Sequence, residues 1–88
     1  MSEPYTLVFQ DEFRQDLKWW VKNDHKINVK IFDLIESVSR TPFDGIGKPE
    51  PLKFLGAGIW SRRITQEYRP VYRIDSHRID FLQCRYHY

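Results

Sequence analysis

Residues 59–88 read IWSRRITQEYRPVYRIDSHRIDFLQCRYHY, and no other stretch restricts the possible folds so closely. Trp, Ile, Val, Tyr and Phe recur through it, with breaks near residues 66–68 and 75–76, a pattern that predicts three strands in a meander. Successive side chains of a strand point to opposite faces. A three-residue loop at residues 66–68 sets Thr65 opposite Arg69 and Arg63 opposite Val71. Ser61, Arg63, Thr65, Arg69, Val71 and Arg73 then share one face, and Trp60, Ile64, Pro70, Tyr72 and Ile74 the other. The second set suits packing against helices, which turns the arginines toward solvent or a ligand. A two-residue loop would move Arg69 to the face of Ile64, because a one-residue slip exchanges the faces.

The helices that cover this sheet are legible upstream. After a short strand at residues 5–9 (YTLVF), Asp11 is the expected N-cap of a helix, with Glu12 in its first turn. Phe13, Leu17, Trp20 and Val21 recur at helical spacing and form one apolar stripe. Asn23 and Asp24 interrupt it, and Asp24 is placed to cap a second helix carrying Ile27, Ile31, Leu34, Ile35 and Val38. That helix is expected to stop near Arg40, since the residue before Pro42 disfavours helical geometry. Trp19, Trp20 and the aliphatic stripe read as core. Residues 42–51 (PFDGIGKPEP) hold three prolines and two glycines, too many for regular structure, so they predict a stiff loop presenting Lys48 and Glu50. Residues 52–54 are expected to form a brief strand before a turn at residues 56–58. The fold class is therefore α+β: two N-terminal helices on a small, mainly antiparallel sheet. Its 88 residues suit a single domain, 1–88.

Charge separates along the chain. Residues 1–44 hold six Lys/Arg against eight Asp/Glu, and residues 45–88 eight against four. The basic half is also the arginine-bearing sheet, which points to a polyanion or to a solvated surface. No window has the apolar length of a membrane span, and no signal-peptide layout opens the chain. Cys84 is the single cysteine, so a reducing cytoplasm is expected and no membrane partner. His25, His77 and His87 are scattered, no pair has metal-ligand spacing, and no phosphate-cradling glycine motif occurs.

A glutamate on a stiff loop, arginines on a sheet face and a C-terminal histidine suit metal-free cleavage of RNA. The 2′-hydroxyl is the nucleophile; the protein has to take its proton, stabilise the phosphorane and protonate the leaving 5′-oxygen. Arginine offers a planar fork that matches phosphate oxygens. Glu, Arg and His occur together in most proteins, so this pattern alone does not separate catalysis from binding.

The runs TPFDGIGKPEPLK (residues 41–53), WSRRIT (60–65), EYRPVY (67–72) and the terminal CRYHY closely resemble the YoeB family of toxins, within the wider RelE-like group of bacterial type II toxin–antitoxin systems. The resemblance implies a fold similar to microbial ribonucleases and a ribosome-dependent endoribonuclease that cleaves mRNA in the A site without a cofactor. It also implies a cognate, YefM-like antitoxin, the ribosome and mRNA as partners, and a homodimer. By motif position, Glu50 resembles the general base, Arg69 the residue that stabilises the scissile phosphate, His87 the general acid and Tyr88 the terminal aromatic that positions substrate. Lys53 and Arg63 match supporting basic positions near the phosphate, and Ile46 stands where the family carries a polar or basic residue. The remaining arginines, Arg62, Arg73, Arg78 and Arg85, read as general basic surface. The alternative is a non-catalytic basic module that blocks translation or only binds its antitoxin; on either reading a basic groove lined by Trp60, Phe81 and arginines suits an acidic amphipathic segment of the antitoxin. On β alternation alone, Ile79 and Phe81 fall on the His87 face, which a bulge or a dimer contact would explain.

Overall fold

A computed structural model describes residues 5–87. Strand β1 (Thr6–Phe9) leads into helices α1 (Asp11–Asn23) and α2 (His25–Arg40), followed by β2 (Glu50–Pro51), a 3₁₀ turn (Lys53–Leu55), β3 (Ile59–Ser61), β4 (Tyr68–Asp75) and β5 (Arg78–His87). The five strands form one sheet in the order β1-β5-β4-β3-β2. Only β1 runs parallel to its neighbour, β5; the other pairs are antiparallel. Two helices on a mainly antiparallel sheet is the expected class.

Periodicity explains the core. Ile27, Ile31, Leu34, Ile35 and Val38 of α2 are all buried, as are Phe13 and Trp20 of α1. They pack with Ile64, Tyr72, Ile79, Phe81 and Cys84 of the sheet side. Asp24 caps α2, its carboxylate accepting from the Lys26 N–H at 3.2 Å. Asp11 is not the cap of α1: Gln10 holds that position, while Asp11 lies in the first turn and pairs with Arg14. Val21 departs from the expected stripe, being 57% exposed on the outer side of the hairpin.

Three further expectations change in detail. Residues 52–54 do not form a strand; Lys53 opens the 3₁₀ turn, and the extended pair is Glu50–Pro51, laid against β3 with Glu50 opposite Ser61. The β3–β4 register sets Ser61, not Arg63, opposite Val71. That is a shift of two, so the faces stay sorted; the regular strand ends at Ser61, and beyond it the N–H groups of Arg62 and Ile64 still donate to the Pro70 and Tyr68 carbonyls, at 3.2 and 3.0 Å, before the turn. The strand-5 question also resolves. Register shifts between Arg69 and Tyr72 let β5 carry two extra residues, which restores the alternation: Ile79 and Phe81 oppose Ile74 and Tyr72 on the helix-covered side, the face on which His87 opposes Tyr68. Phe81 is 1% exposed and packs on Phe13, and so cannot line a surface groove. At the bulge the backbone of Cys84 is satisfied from α1: its N–H donates to Asp16 Oδ2 at 2.9 Å, and its carbonyl accepts from Trp20 Nε1 at 2.9 Å.

Candidate active site

Across β2, β3 and β4 the ladder lines up Glu50, Ser61 and Val71, and Arg69 lies two residues before Val71 on the same face. Arg69 Nη1 donates to Ser61 Oγ at 3.0 Å and lies 3.5 Å from Glu50 Oε2. Ser61 is fully buried and Arg69 is 3% exposed, whereas the Glu50 side chain is 39% exposed. The arrangement is a guanidinium held inside the wall of the sheet beside a carboxylate open to solvent. A buried arginine stays charged and cannot be deprotonated, so an anion entering beside Glu50 meets a fixed positive group with low local screening.

The carboxylate owes its position to the loop before it, and the loop owes its shape to Arg62. Arg62 is not surface: it is 0% exposed. Its Nε donates to the Tyr72 hydroxyl at 3.0 Å, and Nη1 to Ser37 Oγ at 2.8 Å and the Ile46 carbonyl at 3.0 Å. Its Nη2 donates to the carbonyls of Thr41 at 2.6 Å and Asp44 at 2.9 Å. All five guanidinium donors are thereby used. Tyr72 continues the network by donating to the Pro42 carbonyl at 2.8 Å. Burial raises the Tyr72 phenol above its ordinary pKa, against the lowering effect of the Arg62 hydrogen bond. Gly45, at φ +117°, lies against this cage; a Cβ there would meet Ser37 Oγ at 2.6 Å.

His87 is held elsewhere at the same end of the sheet. It opposes Tyr68 while its neighbour Tyr86 opposes Arg69, so His87 and Arg69 leave opposite faces of adjacent rows. Its ring lies 5.6 Å from that of Tyr68, and its Nε2 is 3.6 Å from Glu67 Oε2. Lys53 is exposed in the 3₁₀ turn. Arg63 is exposed beside Lys30, Lys48 and Ile46 around a concavity of about 420 Å³ between α2 and the loop. Tyr88 lies outside the described residues. Contacts thus unite Glu50 with Arg69 and add Ser61, which the face sorting put beside Arg69 without assigning it a role.

The other arginines expected on the general surface have specific partners. Arg73 and Arg78 reach Asp80, at 3.5 and 2.9 Å, and Arg85 stacks 3.8 Å from the centre of the Trp19 ring. The hydrogen bond from Arg78 holds the Asp80 carboxyl below its ordinary pKa, against the effect of burial, with help from the Arg78 charge, Gln10 and Arg73. Cys84 is buried, and burial with the nearby Asp16 carboxylate pushes its thiol up, away from reactivity. Among the described residues no group of three His, Cys, Asp or Glu side chains is arranged to hold a metal ion, and no helix is long and apolar enough to cross a membrane.

Residues 9–88 match the sequence profile of a family described as the YoeB-like toxin of bacterial type II toxin-antitoxin systems. Toxin YoeB of Escherichia coli K12 is 46% identical over 82 residues, covering 93% of this chain and 98% of that protein. A YoeB dimer from Staphylococcus aureus superposes with a TM-score of 0.86 at 40% identity, covering 96% of this chain and 98% of that one. A heterotetrameric YoeB–YefM toxin–antitoxin complex from the same organism gives 0.81 at 41% identity, with the same coverage.

Proposed function

The chain belongs to the YoeB-like toxin family of bacterial type II toxin–antitoxin systems, and from that premise we propose that it is a ribosome-dependent endoribonuclease cleaving mRNA in the A site. The observation that carries the reading is the buried Arg69 guanidinium 3.5 Å from the solvent-open Glu50 carboxylate. Glu50 accepts the proton of the 2′-hydroxyl. The 2′-oxygen forms a bond to phosphorus, and Arg69 stabilises the negative charge that accumulates on the phosphoryl oxygens. The bond to the 5′-oxygen breaks, leaving a 2′,3′-cyclic phosphate, and the imidazolium of His87 protonates the departing oxygen. No cofactor is required, because the substrate supplies the nucleophile.

To reach this position His87 has to leave Glu67 and the end of β5 has to turn, since the ring starts on the face opposite Arg69. Both side chains of that pair are largely exposed, 65% and 70%, so the contact is worth only about 0–1 kcal/mol and does not hold the ring against a phosphate. Tyr88 is the terminal aromatic beside the substrate. Lys53 and Arg63, both exposed, track phosphates of mRNA or ribosomal RNA and set approach and salt dependence. The activity resides in one domain spanning residues 1–88, in the cytoplasm, and the partners are a YefM-like antitoxin and a second copy of the chain.

The test is a translating extract programmed with a defined mRNA, in which 5′ ends are mapped after adding wild type, Glu50→Gln or His87→Ala. Cuts within decoded codons are expected for wild type and a loss of about 10²–10⁴-fold for either variant. Translation arrest by wild type and His87→Ala alike, with intact mRNA in both, is the signature of the binding-module alternative and sinks the nuclease.

A further inference from the structure

The helical hairpin carries a second apolar surface that the fold does not use. One stripe of α2 faces the sheet; Val29 and Phe32, one turn apart on its other side, are 63% and 55% exposed, and Val21 of α1 joins them at 57%. Together with His25, Lys26 and Asn28 they line a concavity of about 500 Å³. One wall contains a polar group that the fold leaves unmatched. Asn28 is 8% exposed, its Nδ2 makes only a 3.5 Å contact with the Leu17 carbonyl, and its Oδ1 has no hydrogen-bond partner among the described residues. A buried acceptor without a donor destabilises the free chain, and a turn of the amide would offer it to an incoming N–H. A contiguous exposed apolar patch bordered by polar groups marks an interaction site.

Charge selects the occupant. Val21, His25 and Lys26 also border the adjoining hollow with Lys22 and Asp24, and Asp24 is engaged in capping α2. The positive side chains at the rim are thus Lys22 and Lys26, with His25 between them in sequence. A second copy of this chain docking through the same surface would bring these lysines together about the two-fold axis. Nucleic acid would meet an apolar floor without arginine, whereas arginines line the sheet. We propose that this groove holds an acidic, apolar segment of the antitoxin, with an aliphatic or aromatic residue seated between Val21, Val29 and Phe32 and carboxylates over Lys22 and Lys26. This deepens the toxin–antitoxin reading: the antitoxin grips a surface on the hairpin away from the Glu50–Arg69 pair, so tethering and blocking of the site are separable.

The experiment titrates the cognate antitoxin, purified from a co-expressed complex, against wild type, Val29→Lys/Phe32→Lys and Lys26→Glu. The substituted side chains are exposed, so circular dichroism and the melting temperature stay at wild-type values. The double variant is expected to bind at least tenfold more weakly while cleaving mRNA as wild type does. Lys26→Glu is expected to bind more weakly at low salt and to converge on wild type as salt rises. Unchanged antitoxin affinity in the folded double variant overturns the inference and leaves the family function standing. A shift of the double variant from dimer to monomer with antitoxin affinity intact also overturns it, in favour of a self-interface. Failure of wild type to bind the antitoxin at all removes both this inference and the partner on which it rests.

Discussion

Arg62 and Arg69 leave the same stretch of chain, are 0% and 3% exposed, and are held in opposite ways. Arg62 spends every donor on neutral oxygens: a hydroxyl from Ser37, a phenol from Tyr72 and three carbonyls of the loop. No carboxylate touches it among the described residues, and no substrate group can reach it. Arg69 has an uncharged anchor in Ser61 but turns toward a half-open carboxylate on the edge of the sheet. The difference teaches that burial alone does not mark a functional arginine. What separates the two is whether the guanidinium borders a solvent-open group that can be displaced.

The largest expected effect is at Arg62. Replacing it by methionine keeps volume but removes the donor to the Ile46 carbonyl and one partner each from the Tyr72 hydroxyl and the Thr41 and Asp44 carbonyls, so unfolding free energy is expected to fall by about 3–5 kcal/mol. Arg62→Lys recovers only part of this, since an ammonium cannot reproduce the planar fork. Urea unfolding measures both, and residual cleavage should track the folded fraction. A loss under about 1 kcal/mol for Arg62→Met, the range of a single ordinary hydrogen bond, would break the contrast at its structural end.

Arg69 should behave in reverse. Arg69→Lys retains the charge and costs about 1 kcal/mol of stability, the loss of one buried hydrogen bond to Ser61. Cleavage is expected to fall by about 10²–10³-fold, as when one preorganised charge-stabilising donor is removed. The paired readouts are urea unfolding and mRNA end mapping in a translating extract. Should Arg69→Lys lose stability as severely as Arg62→Met, while its folded fraction keeps full activity, both arginines are scaffold and the functional reading of Arg69 fails.

Most of the architecture is written in local patterns. The α2 stripe, the Asp24 cap, the stop at Arg40 and the three-strand meander follow from periodicity and backbone chemistry, all short-range. What the sequence hides is non-local. The five acceptors around Arg62 come from the end of α2, the loop and β4, so composition alone assigned that arginine to the surface where arginines usually sit. Its burial accompanies the end of regular strand at Ser61 and the two-residue change in register. The bulges of β5 are equally invisible to alternation: their two shifts cancel, so Ile79, Phe81 and His87 do share a face, but between them Gln83 moves opposite Val71 and Cys84 enters the core. Val21 had the right spacing but the wrong neighbour, since a helix stripe is wider than the surface available to cover it. At the site, face sorting alone put Arg69 with Ser61. The roles of Glu50 and His87 came from motif resemblance, and the Glu67 contact of His87 depends on the β4–β5 register.

Asp80 sharpens the comparison by inverting it, with the smallest expected effect. Here the carboxylate is the buried member, 1% exposed, and the guanidinium groups of Arg73 and Arg78 are half exposed, at 50% and 55%. Solvent screens the arginines, so Asp80→Asn is expected to cost only about 1 kcal/mol near neutral pH. The sign of its pH dependence follows from the lowered folded pKa. An unfolded Asp titrates near 3.8, so the Asp80 contribution is complete above that value and disappears as pH falls through the lower folded value. The stability gap between wild type and Asp80→Asn should therefore be constant at neutral pH and close in acid, as followed by urea unfolding across that range. The subtraction matters, because other carboxylates titrate in both proteins and cancel. A gap that persists unchanged into strong acid would mean that shape rather than charge holds Asp80 in place, and that a carboxylate facing arginines in this sheet is not by itself an electrostatic device. The same reservation would then extend to Glu50 beside Arg69.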